Sequence, residues 1–237
     1  MSDFKKVLTE TLAECDITID AVAVGRLCRY NELLLEWNAV MNLTALTEPR
    51  DVALKHFADS LTVLKVCDIP EGAAVVDVGT GAGFPGLVLK IARPDIRLTL
   101  LDSLLKRLNF LDTVCEELDL DGVETVHSRA EDGARTALRD SFDIAVSRAV
   151  APLNVLAEYC LPYVKEGGRF LAMKGKDADE ELTAAQDAIA ALCGEVREKH
   201  SFILAEAGER SVFEIVKAAP TPDKFPRKSK QIKNKPL

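Results

Sequence analysis

Residues 74–86 read Ala-Val-Val-Asp-Val-Gly-Thr-Gly-Ala-Gly-Phe-Pro-Gly, and the architecture of the chain follows from them. A short β-branched run stops at three glycines on alternate positions, Gly79, Gly81 and Gly83, and a helical pattern follows from Gly86. Such a run is typical of a buried parallel strand. Glycines let the backbone bend sharply and approach a ligand without a Cβ in the way. The sequence therefore predicts the ligand-binding corner of a doubly wound α/β sheet.

The glycine spacing and one acid indicate the kind of ligand. Nicotinamide-dinucleotide sites carry G-x-G-x-x-G, whereas this turn has G-x-G-x-G, and Asp77 lies in the strand two residues before Gly79. A carboxylate at that place would repel a pyrophosphate and would suit a cationic ligand, directly or through water. The motif resembles that of Rossmann-like methyltransferases, whose S-adenosylmethionine carries positive amino and sulfonium groups. The alternative is a tight turn that binds nothing.

A second acid ends the next predicted strand, residues 97–102. Asp102 comes 23 residues after Gly79, close to the roughly 20 residues expected for an acid that accepts hydrogen bonds from ribose hydroxyls. Nicotinamide and S-adenosylmethionine enzymes both use such an acid, so Asp102 indicates a nucleoside without distinguishing the two. The alternative for Asp102 is a cap for the helix that follows Ser103.

The charge is distributed unevenly along the chain. The 237 residues are 48% apolar, enough for a sizeable core, and the net charge is −8. Residues 224–237 hold six basic residues and no acid, which leaves −14 for the rest. An acidic body with a basic tail is typical of a protein with an anionic polymer as partner. The alternative is a disordered, solvated tail.

The cysteines and the apolar runs favour a cytoplasmic protein. The six cysteines are scattered singly, with no C-x-x-C pair and no Cys/His cluster in the sequence, so neither a zinc site nor a disulfide framework is expected. The first residues lack the apolar core of a signal peptide. No apolar run approaches the roughly 20 residues that a bilayer span requires. We therefore expect that the protein binds neither a membrane nor a metal ion. We also expect it to be a monomer.

Helical patterns precede the glycine turn, and strands alternate with helices after it. Asp20 is expected to cap a helix to about Met41, and Pro49 to open another to about Lys65. The predicted strands are 74–79, 97–102, 123–128, 142–147 and 168–174, and the predicted helices 85–92, 104–119, 130–139, 152–163 and 177–192. Two further strands, 199–205 and 211–217, are joined by a turn at Gly208 and read as a hairpin.

Five parallel strands followed by an antiparallel pair predict an α/β fold of the Rossmann-like (class I) S-adenosylmethionine-dependent methyltransferase type. A nicotinamide-binding domain would more often continue with another βα unit. We expect three parts: an N-terminal helical extension at 1–70, the methyltransferase domain at 71–220 and a basic C-terminal tail at 221–237.

Polar residues cluster where the predicted strands end. Ligands of open α/β sheets bind beyond the carboxyl ends of the strands, so Glu131 and the backbone of Ala130 are expected at an adenine edge. Arg148 is expected in the crevice near the transferred group. The alternatives are a first-turn acid favoured by the helix dipole for Glu131, and a structural ion pair for Arg148.

His56, Asp59 and Ser60 share one face of the helix that Pro49 opens, at positions i, i+3 and i+4. A hydrolytic triad is not favoured, because side chains on one straight helix do not surround a carbonyl and no oxyanion hole is indicated. These residues are expected to fix the helix against the cofactor domain.

The chain is similar over nearly its whole length to the bacterial 16S ribosomal RNA guanine-N7 methyltransferase family (RsmG, formerly GidB). The matching motifs lie at 41–45, 55–61, 76–86, 100–103, 106–107, 128–131, 147–149, 174–175, 225–228 and 234–237, whereas residues 229–233 lack the glycine and proline of the family pattern. The resemblance implies a cytoplasmic enzyme that methylates N7 of one guanine, position 527, in the decoding-region loop. It implies S-adenosylmethionine contacts at Gly79, Phe84, Ala130, Glu131 and Arg148, beside Asp102.

The substrate that the resemblance implies is 16S rRNA, free or within the 30S subunit, with Arg227 and Lys228 of the tail as phosphate contacts. Neutral guanine carries an unprotonated lone pair at N7, so no proton has to be removed before methyl transfer. We therefore assign no catalytic general base. The roles of Asn42 and His56 stay open, as do three other functions: methylation of a small molecule or protein, non-catalytic RNA binding, and a dehydrogenase.

Overall fold

The structure is a computed structural model that describes residues 3–237. Seven strands form one sheet in the order β3-β2-β1-β4-β5-β7-β6. Strands β1 to β5 are parallel, β7 runs antiparallel to β5, and β6 runs antiparallel to β7. The strands are β1 Ala74–Val78, β2 Arg97–Asp102, β3 Val123–His127, β4 Phe142–Arg148, β5 Val164–Lys174, β6 Gly194–Ile203 and β7 Glu209–Lys217. This topology confirms the predicted class I methyltransferase fold.

Helices cover both faces of the sheet and precede it. They are α1 Asp3–Glu14, α2 Ala21–Met41, α3 Pro49–Asp51, α4 Asp59–Val66, α5 Gly86–Ala92, α6 Leu105–Glu117, α7 Ala130–Gly133, α8 Leu153–Cys160, α9 Ala178–Ala191 and α10 Ser229–Asn234. Within residues 3–237, none of these is long and apolar enough to cross a membrane.

The N-terminal helices pack into the same apolar core as the sheet. Leu8 of α1, Leu27 of α2 and Leu100 of β2 belong to one buried cluster. Asp20 caps α2 as predicted, accepting a hydrogen bond from the Ala23 N–H at 2.7 Å. The division of the chain at residues 70 and 220 stays a prediction.

The helix expected from Pro49 to Lys65 is present, but it widens in the middle. Residues Val52–Ala58 form a π-helix between α3 and α4. Such segments are rare and often lie at functional sites. In this one the Lys55 carbonyl accepts a hydrogen bond from Arg148 at 2.9 Å. The π-helix therefore joins the N-terminal helices to the carboxyl end of β4.

Three predicted boundaries are wrong. Strand β5 starts at Val164 instead of residue 168. The helix expected at 130–139 is a single turn, α7, because Thr136 donates to the Gly133 carbonyl and its hydroxyl also accepts from the Leu138 N–H, which competes with helical bonds. Strand β6 starts at Gly194 instead of residue 199. Residues 195–198 are charged or exposed, as is typical of an edge strand. They lack the alternation of apolar and polar residues from which the strand was predicted.

Candidate functional site

A cavity of about 920 Å³ opens at the carboxyl ends of β1, β2 and β4. Its size lies in the range of small-molecule sites. Different segments of the chain contribute to its wall: the glycine turn, the end of β2, α7 and the end of β4. The structure brings together all six residues that the sequence predicts as cofactor contacts: Gly79, Phe84, Asp102, Ala130, Glu131 and Arg148.

The glycine turn at the cavity floor is tied to the neighbouring strand. The N–H groups of Gly79 and Thr80 both donate to the Leu101 carbonyl, at 2.8 and 3.1 Å. Gly79 has φ +74°, and a Cβ there would lie 2.7 Å from the Val150 side chain. The positive φ therefore favours glycine at this position, and a Cβ would also displace the exposed Val150 side chain.

Asp77 lies beneath this turn and does not line the cavity. Its Oδ2 accepts hydrogen bonds from the Thr80 hydroxyl and the Gly86 N–H, both at 2.8 Å. The side chain is fully buried, and burial raises the pKa of Asp77 to about 6. Asp77 thus joins β1 to the start of α5 through Oδ2, while among the described residues its buried Oδ1 has no hydrogen-bond partner. Because Asp77 does not line the cavity, a direct contact with a cationic ligand is not favoured, and a contact through water stays a prediction.

Asp102 lines the cavity and also orders its rim. Its Oδ2 accepts from the Gly81 N–H at 3.0 Å, and its Oδ1 accepts from the Leu104 N–H at 2.9 Å. The second bond goes to the residue before α6 and forms a local turn; α6 has no side-chain cap, so the structure does not support the helix-cap alternative for Asp102. Arg107 approaches the same carboxylate at 3.3 Å. The acid is therefore held rigidly, with lone pairs left to accept from a ligand.

Glu131 carries an unpaired oxygen in the cavity wall. The residue is 5% exposed, and among the described residues its Oε1 has no hydrogen-bond partner. A buried acceptor without a partner is destabilising by about 1–3 kcal/mol. A ligand that brings an N–H or O–H donor would remove that penalty. Glu131 also lies in the first turn of α7. The structure is therefore compatible both with a ligand contact and with the alternative, an acid favoured by the helix dipole.

Phe84 is the centre of a ring stack at the cavity edge. The His56 ring lies parallel to it with centroids 4.3 Å apart, and the Tyr30 ring lies 5.6 Å away. The Arg148 guanidinium carbon stands 5.3 Å from the Phe84 centroid. Phe84 is only 7% exposed, so only a small part of its ring is left to meet a ligand.

Arg148 lines the cavity while it is held in a buried ion pair. Its Nη1 donates to Asp59 Oδ2 at 2.7 Å, and Arg210 donates to the other oxygen of Asp59 at 2.9 Å. The ion-pair alternative for Arg148 is therefore present in the structure. Asp59 fixes the helix against the sheet as expected. Ser60 takes no part, because its hydroxyl donates to the His56 carbonyl.

His56 is neutral at physiological pH. Burial, followed by the charge of Arg148, lowers the pKa of His56 to about 3. Its Nε2 lies 2.8 Å from the Thr44 hydroxyl, which joins the π-helix to the loop after α2. Asn42 ends α2 in the left-handed region with φ +51°. Both residues thus shape the loop that reaches the cavity at Leu43 and Thr44.

Replacing His56 with Gln is expected to flatten the acid side of the stability curve. The pKa of His56 is about 3 in the folded chain, against an ordinary 6.5, so the unfolded state binds the proton more tightly and stability falls as pH drops below 6.5. Proton linkage at His56 alone therefore lowers the free energy of unfolding by about 2 kcal/mol between pH 7 and pH 5. Asp77, whose raised pKa of about 6 acts in the opposite sense over this range, is present in every variant, so the quantity to compare is the difference between proteins. In urea unfolding, wild type and the exposed-site control His127→Gln should lose about 2 kcal/mol more between pH 7 and pH 5 than His56→Gln does, and this difference is the contribution of His56. An equal loss in His56→Gln would contradict the assignment.

The C-terminal tail packs against the domain and contributes to the cavity wall. Arg227 forms a bidentate ion pair with the fully buried Glu158, with nitrogen–oxygen distances of 2.6 and 3.0 Å. Its remaining nitrogen donates to the Lys235 carbonyl. This placement argues against the predicted phosphate contact of Arg227, whereas Lys228 is exposed. Tail residues in the wall are Ser229, Lys233 and Pro236.

A second cavity of about 630 Å³ adjoins the first. The two share the wall formed by residues 148–152, which follows β4, and also the side chains of His56 and Glu181. The second cavity lies on the side of β5 and β7, where Lys174 and Arg210 line it. The site is therefore a pair of adjoining chambers. Local patterns in the sequence did not indicate the second one.

The structure also groups three metal-ligating side chains that are far apart in the sequence. Ligand atoms of Cys67, His200 and Glu214 lie within 4.8 Å of one another. Glu214 already pairs through Oε1 with Arg169 and Arg197, at 3.1 and 3.2 Å. The spacing of cysteines in the sequence could not reveal this group, and neither cavity is lined by its members.

Comparison with known proteins identifies relatives of full length. Residues 24–212 match the family model GidB, described as rRNA small subunit methyltransferase G. The ribosomal RNA small subunit methyltransferase G of Alkaliphilus oremlandii is 47% identical, over 99% of each chain. The protein of the same name from Leuconostoc mesenteroides is 48% identical, over 96% of this chain and 97% of the relative.

Solved structures share the fold at low identity. A mutant 16S rRNA (adenine(1408)-N(1))-methyltransferase from Catenulisporales acidiphilia, with the cosubstrate SAM, has a TM-score of 0.54 at 17% identity, over 64% of this chain and 88% of that chain. The YcgJ protein from Bacillus subtilis has a TM-score of 0.54 at 14% identity, over 69% of this chain and 100% of that chain. At these identities the likeness supports the fold alone.

Proposed function

Because the chain belongs to the rRNA small subunit methyltransferase G family, we propose that it methylates N7 of a guanine in 16S ribosomal RNA with S-adenosylmethionine as methyl donor. The observation that carries the proposal is the pair of adjoining cavities beside the glycine turn. One chamber has the acids that hold a nucleoside, and the other is open for the methyl acceptor.

The residues of the first cavity fit this cofactor. The rigidly held carboxylate of Asp102 is suited to accept from ribose hydroxyls. The unpaired Oε1 of Glu131 supplies an acceptor where an amino or hydroxyl donor is needed. The cofactor, when bound, supplies a methyl group on a positively charged sulfur. Gly79, Ala130, Arg148 and the exposed part of Phe84 complete the proposed contacts.

The second cavity is the proposed place of the target guanine. The shared wall at 148–152 would bring an acceptor from this side against the cofactor side. Guanine N7 needs no general base, so the enzyme has to position the base and exclude water. N7 lies on an edge that the narrow major groove of A-form RNA hides, so the base has to be unpaired or flipped out.

The exposed lysines of the tail, Lys228 among them, are proposed to contact phosphates, which would make binding salt-dependent. The substrate is 16S rRNA or the 30S subunit. We further propose that the protein works in the cytoplasm as a monomer, without a metal ion. The three parts 1–70, 71–220 and 221–237 are proposed as helical extension, methyltransferase domain and basic tail.

Replacing Asp102 with Ala is expected to weaken cofactor binding about 10- to 100-fold, because hydrogen bonds to a charged acceptor contribute roughly 1.5–3 kcal/mol. Part of the loss comes from the glycine turn, since the Gly81 N–H loses its acceptor. Isothermal titration with S-adenosylmethionine measures the effect, and Asp187→Ala, an exposed acid on α9, is the control. An unchanged affinity would remove Asp102 from the site.

Transfer of labelled methyl from S-adenosylmethionine to unmethylated 30S subunits and to naked 16S rRNA tests the function. Label mapped to guanine N7 is the expected result. Cofactor binding without transfer to any RNA would favour a small-molecule or protein acceptor. Absence of cofactor binding would favour a non-catalytic RNA-binding factor. Deleting residues 224–237 does not separate these functions, because the tail also lines the cofactor cavity.

A further inference from the structure

We infer that Glu181 reads the Watson–Crick edge of the target guanine and so selects guanine over other bases. This inference rests on the proposed function. Glu181 lies in the first turn of α9, and its side chain lines both cavities at their junction. That is where a base entering the second chamber would meet the wall.

The hydrogen bonds of Glu181 leave one acceptor open. Its Oε2 accepts from the Leu153 N–H at 2.7 Å and lies 2.7 Å from Lys174 Nζ. In the described part of the chain, Oε1 takes part in neither contact. The side chain is 29% exposed, so a ligand can reach it. The two contacts on Oε2 hold the carboxylate in place, which is the preorganisation that a reading group needs.

The neighbouring cation is placed for the complementary contact. Lys174 Nζ donates to the Ala151 carbonyl at 2.6 Å as well as pairing with Glu181. A lysine has three donors, so one N–H of Lys174 is left. The pair therefore offers an acceptor on Glu181 beside a donor on Lys174, both in the wall of the second cavity.

This arrangement matches guanine and opposes adenine. Guanine presents N–H donors at N1 and at the 2-amino group, with an acceptor at O6, whereas adenine presents an acceptor at N1 and a donor at N6. The two lone pairs of the open oxygen, Oε1, can accept from the two guanine donors, and the same oxygen repels the adenine N1 lone pair. Holding the Watson–Crick edge leaves N7, on another edge of the ring, free for methyl transfer. A site that uses polar groups in this way rejects bases that leave them unpaired.

The alternative is that Glu181 serves only the fold, as a cap at the start of α8 and an ion pair with Lys174. That role predicts a lower melting temperature on substitution and an equal loss of rate on every substrate. A reading role predicts that the loss depends on the 2-amino group. Inosine, which keeps N1–H, O6 and N7 but lacks the 2-amino group, separates the two.

The experiment compares 30S subunits reconstituted with guanine or with inosine at the target position. Wild-type enzyme is expected to have kcat/KM about tenfold or more higher on guanine. Glu181→Gln is expected to lose about 10- to 100-fold on guanine, so that its preference over inosine nearly disappears, while its affinity for S-adenosylmethionine stays within about threefold. The neighbouring exposed acid provides the matched control, Glu180→Gln, which should keep the wild-type preference.

Three results would overturn the inference. The first is a Glu181→Gln variant that keeps the wild-type preference for guanine. The second is an equal rate of the wild-type enzyme on guanine and on inosine, which would mean that no group of the protein accepts a hydrogen bond from the 2-amino group. This result does not depend on the folding of a variant. The third is failure of the wild type to methylate either particle, which would overturn the proposed function together with this inference.

Discussion

Arg227→Ala is expected to lower the free energy of unfolding by about 3–5 kcal/mol, the usual effect of removing one partner of a buried ion pair. Glu158 is fully buried, and both of its oxygens accept from Arg227, including a bond at 2.6 Å from the Arg227 backbone N–H. Without the guanidinium, a charge would remain in the core with no counterion. Urea unfolding at pH 7 measures the loss.

The same substitution is expected to weaken cofactor binding, because the tail would no longer be anchored. Arg227 precedes α10, which brings Ser229 and Lys233 to the wall of the first cavity. If the tail is docked in only one molecule in ten, the apparent affinity falls about tenfold. Isothermal titration with S-adenosylmethionine measures this effect separately from stability.

Two further variants separate the charge from the anchor. Glu158→Gln combined with Arg227→Ala removes the buried charge, so part of the stability should return while the cofactor affinity stays low. Lys230→Ala changes an exposed lysine of the same segment and should alter neither quantity. If the tail were only a solvated arm for RNA, Arg227→Ala would leave cofactor binding and stability unchanged.

The pair Arg227–Glu158 also shows where prediction from the sequence stops. The glycine turn, the place of Asp102 at the end of β2 and the cap at Asp20 depend on neighbouring residues, and local patterns predicted them. Glu158 and Arg227 are separated by 69 positions, and no periodicity links them. A basic tail looks the same in the sequence whether its arginine points to solvent or into the core.

The π-helix is a second feature of this kind. The pattern of residues from Pro49 to Lys65 predicted a helix correctly. The wide turn at Val52–Ala58 depends on a partner for the Lys55 carbonyl, and Arg148 supplies that partner from β4. Likewise the second cavity is formed by β4, β5, β7 and α9 together. Such features appear only when distant parts of the chain meet.

Asp59→Asn is the second change for which a large effect is expected, about 3 kcal/mol of unfolding free energy. Asp59 is 5% exposed and accepts from two arginines, at 2.7 Å from Arg148 and 2.9 Å from Arg210. Asparagine has the same size but no charge, so two largely buried guanidinium groups would lose their shared counterion. Because Arg210 is 23% exposed, water would offset part of the cost.

The rate of methyl transfer should fall as well, since Asp59 positions Arg148 between the two cavities. Arg148 would keep the Lys55 carbonyl but would compete with Arg210 for the single amide oxygen of the asparagine, so its guanidinium could turn away from the Phe84 ring. We expect kcat/KM on 30S subunits to fall about 10- to 100-fold, the change that corresponds to roughly 1.4–2.7 kcal/mol. Affinity for the cofactor should change less, because Asp102 and Glu131 are untouched.

A matched control comes from the same helical segment. Asp51 pairs with Lys55 at 2.6 Å on the surface, where both side chains are more than a third exposed, so Asp51→Asn should change stability by less than about 1 kcal/mol. Equal behaviour of the two asparagine variants would mean that the Asp59 pair is no more important than a surface contact. A large loss of stability with an unchanged kcat/KM would mean that Arg148 keeps its place without Asp59. The expected result, loss of both, would show that the π-helix and β4 are held together for the reaction as well as for the fold.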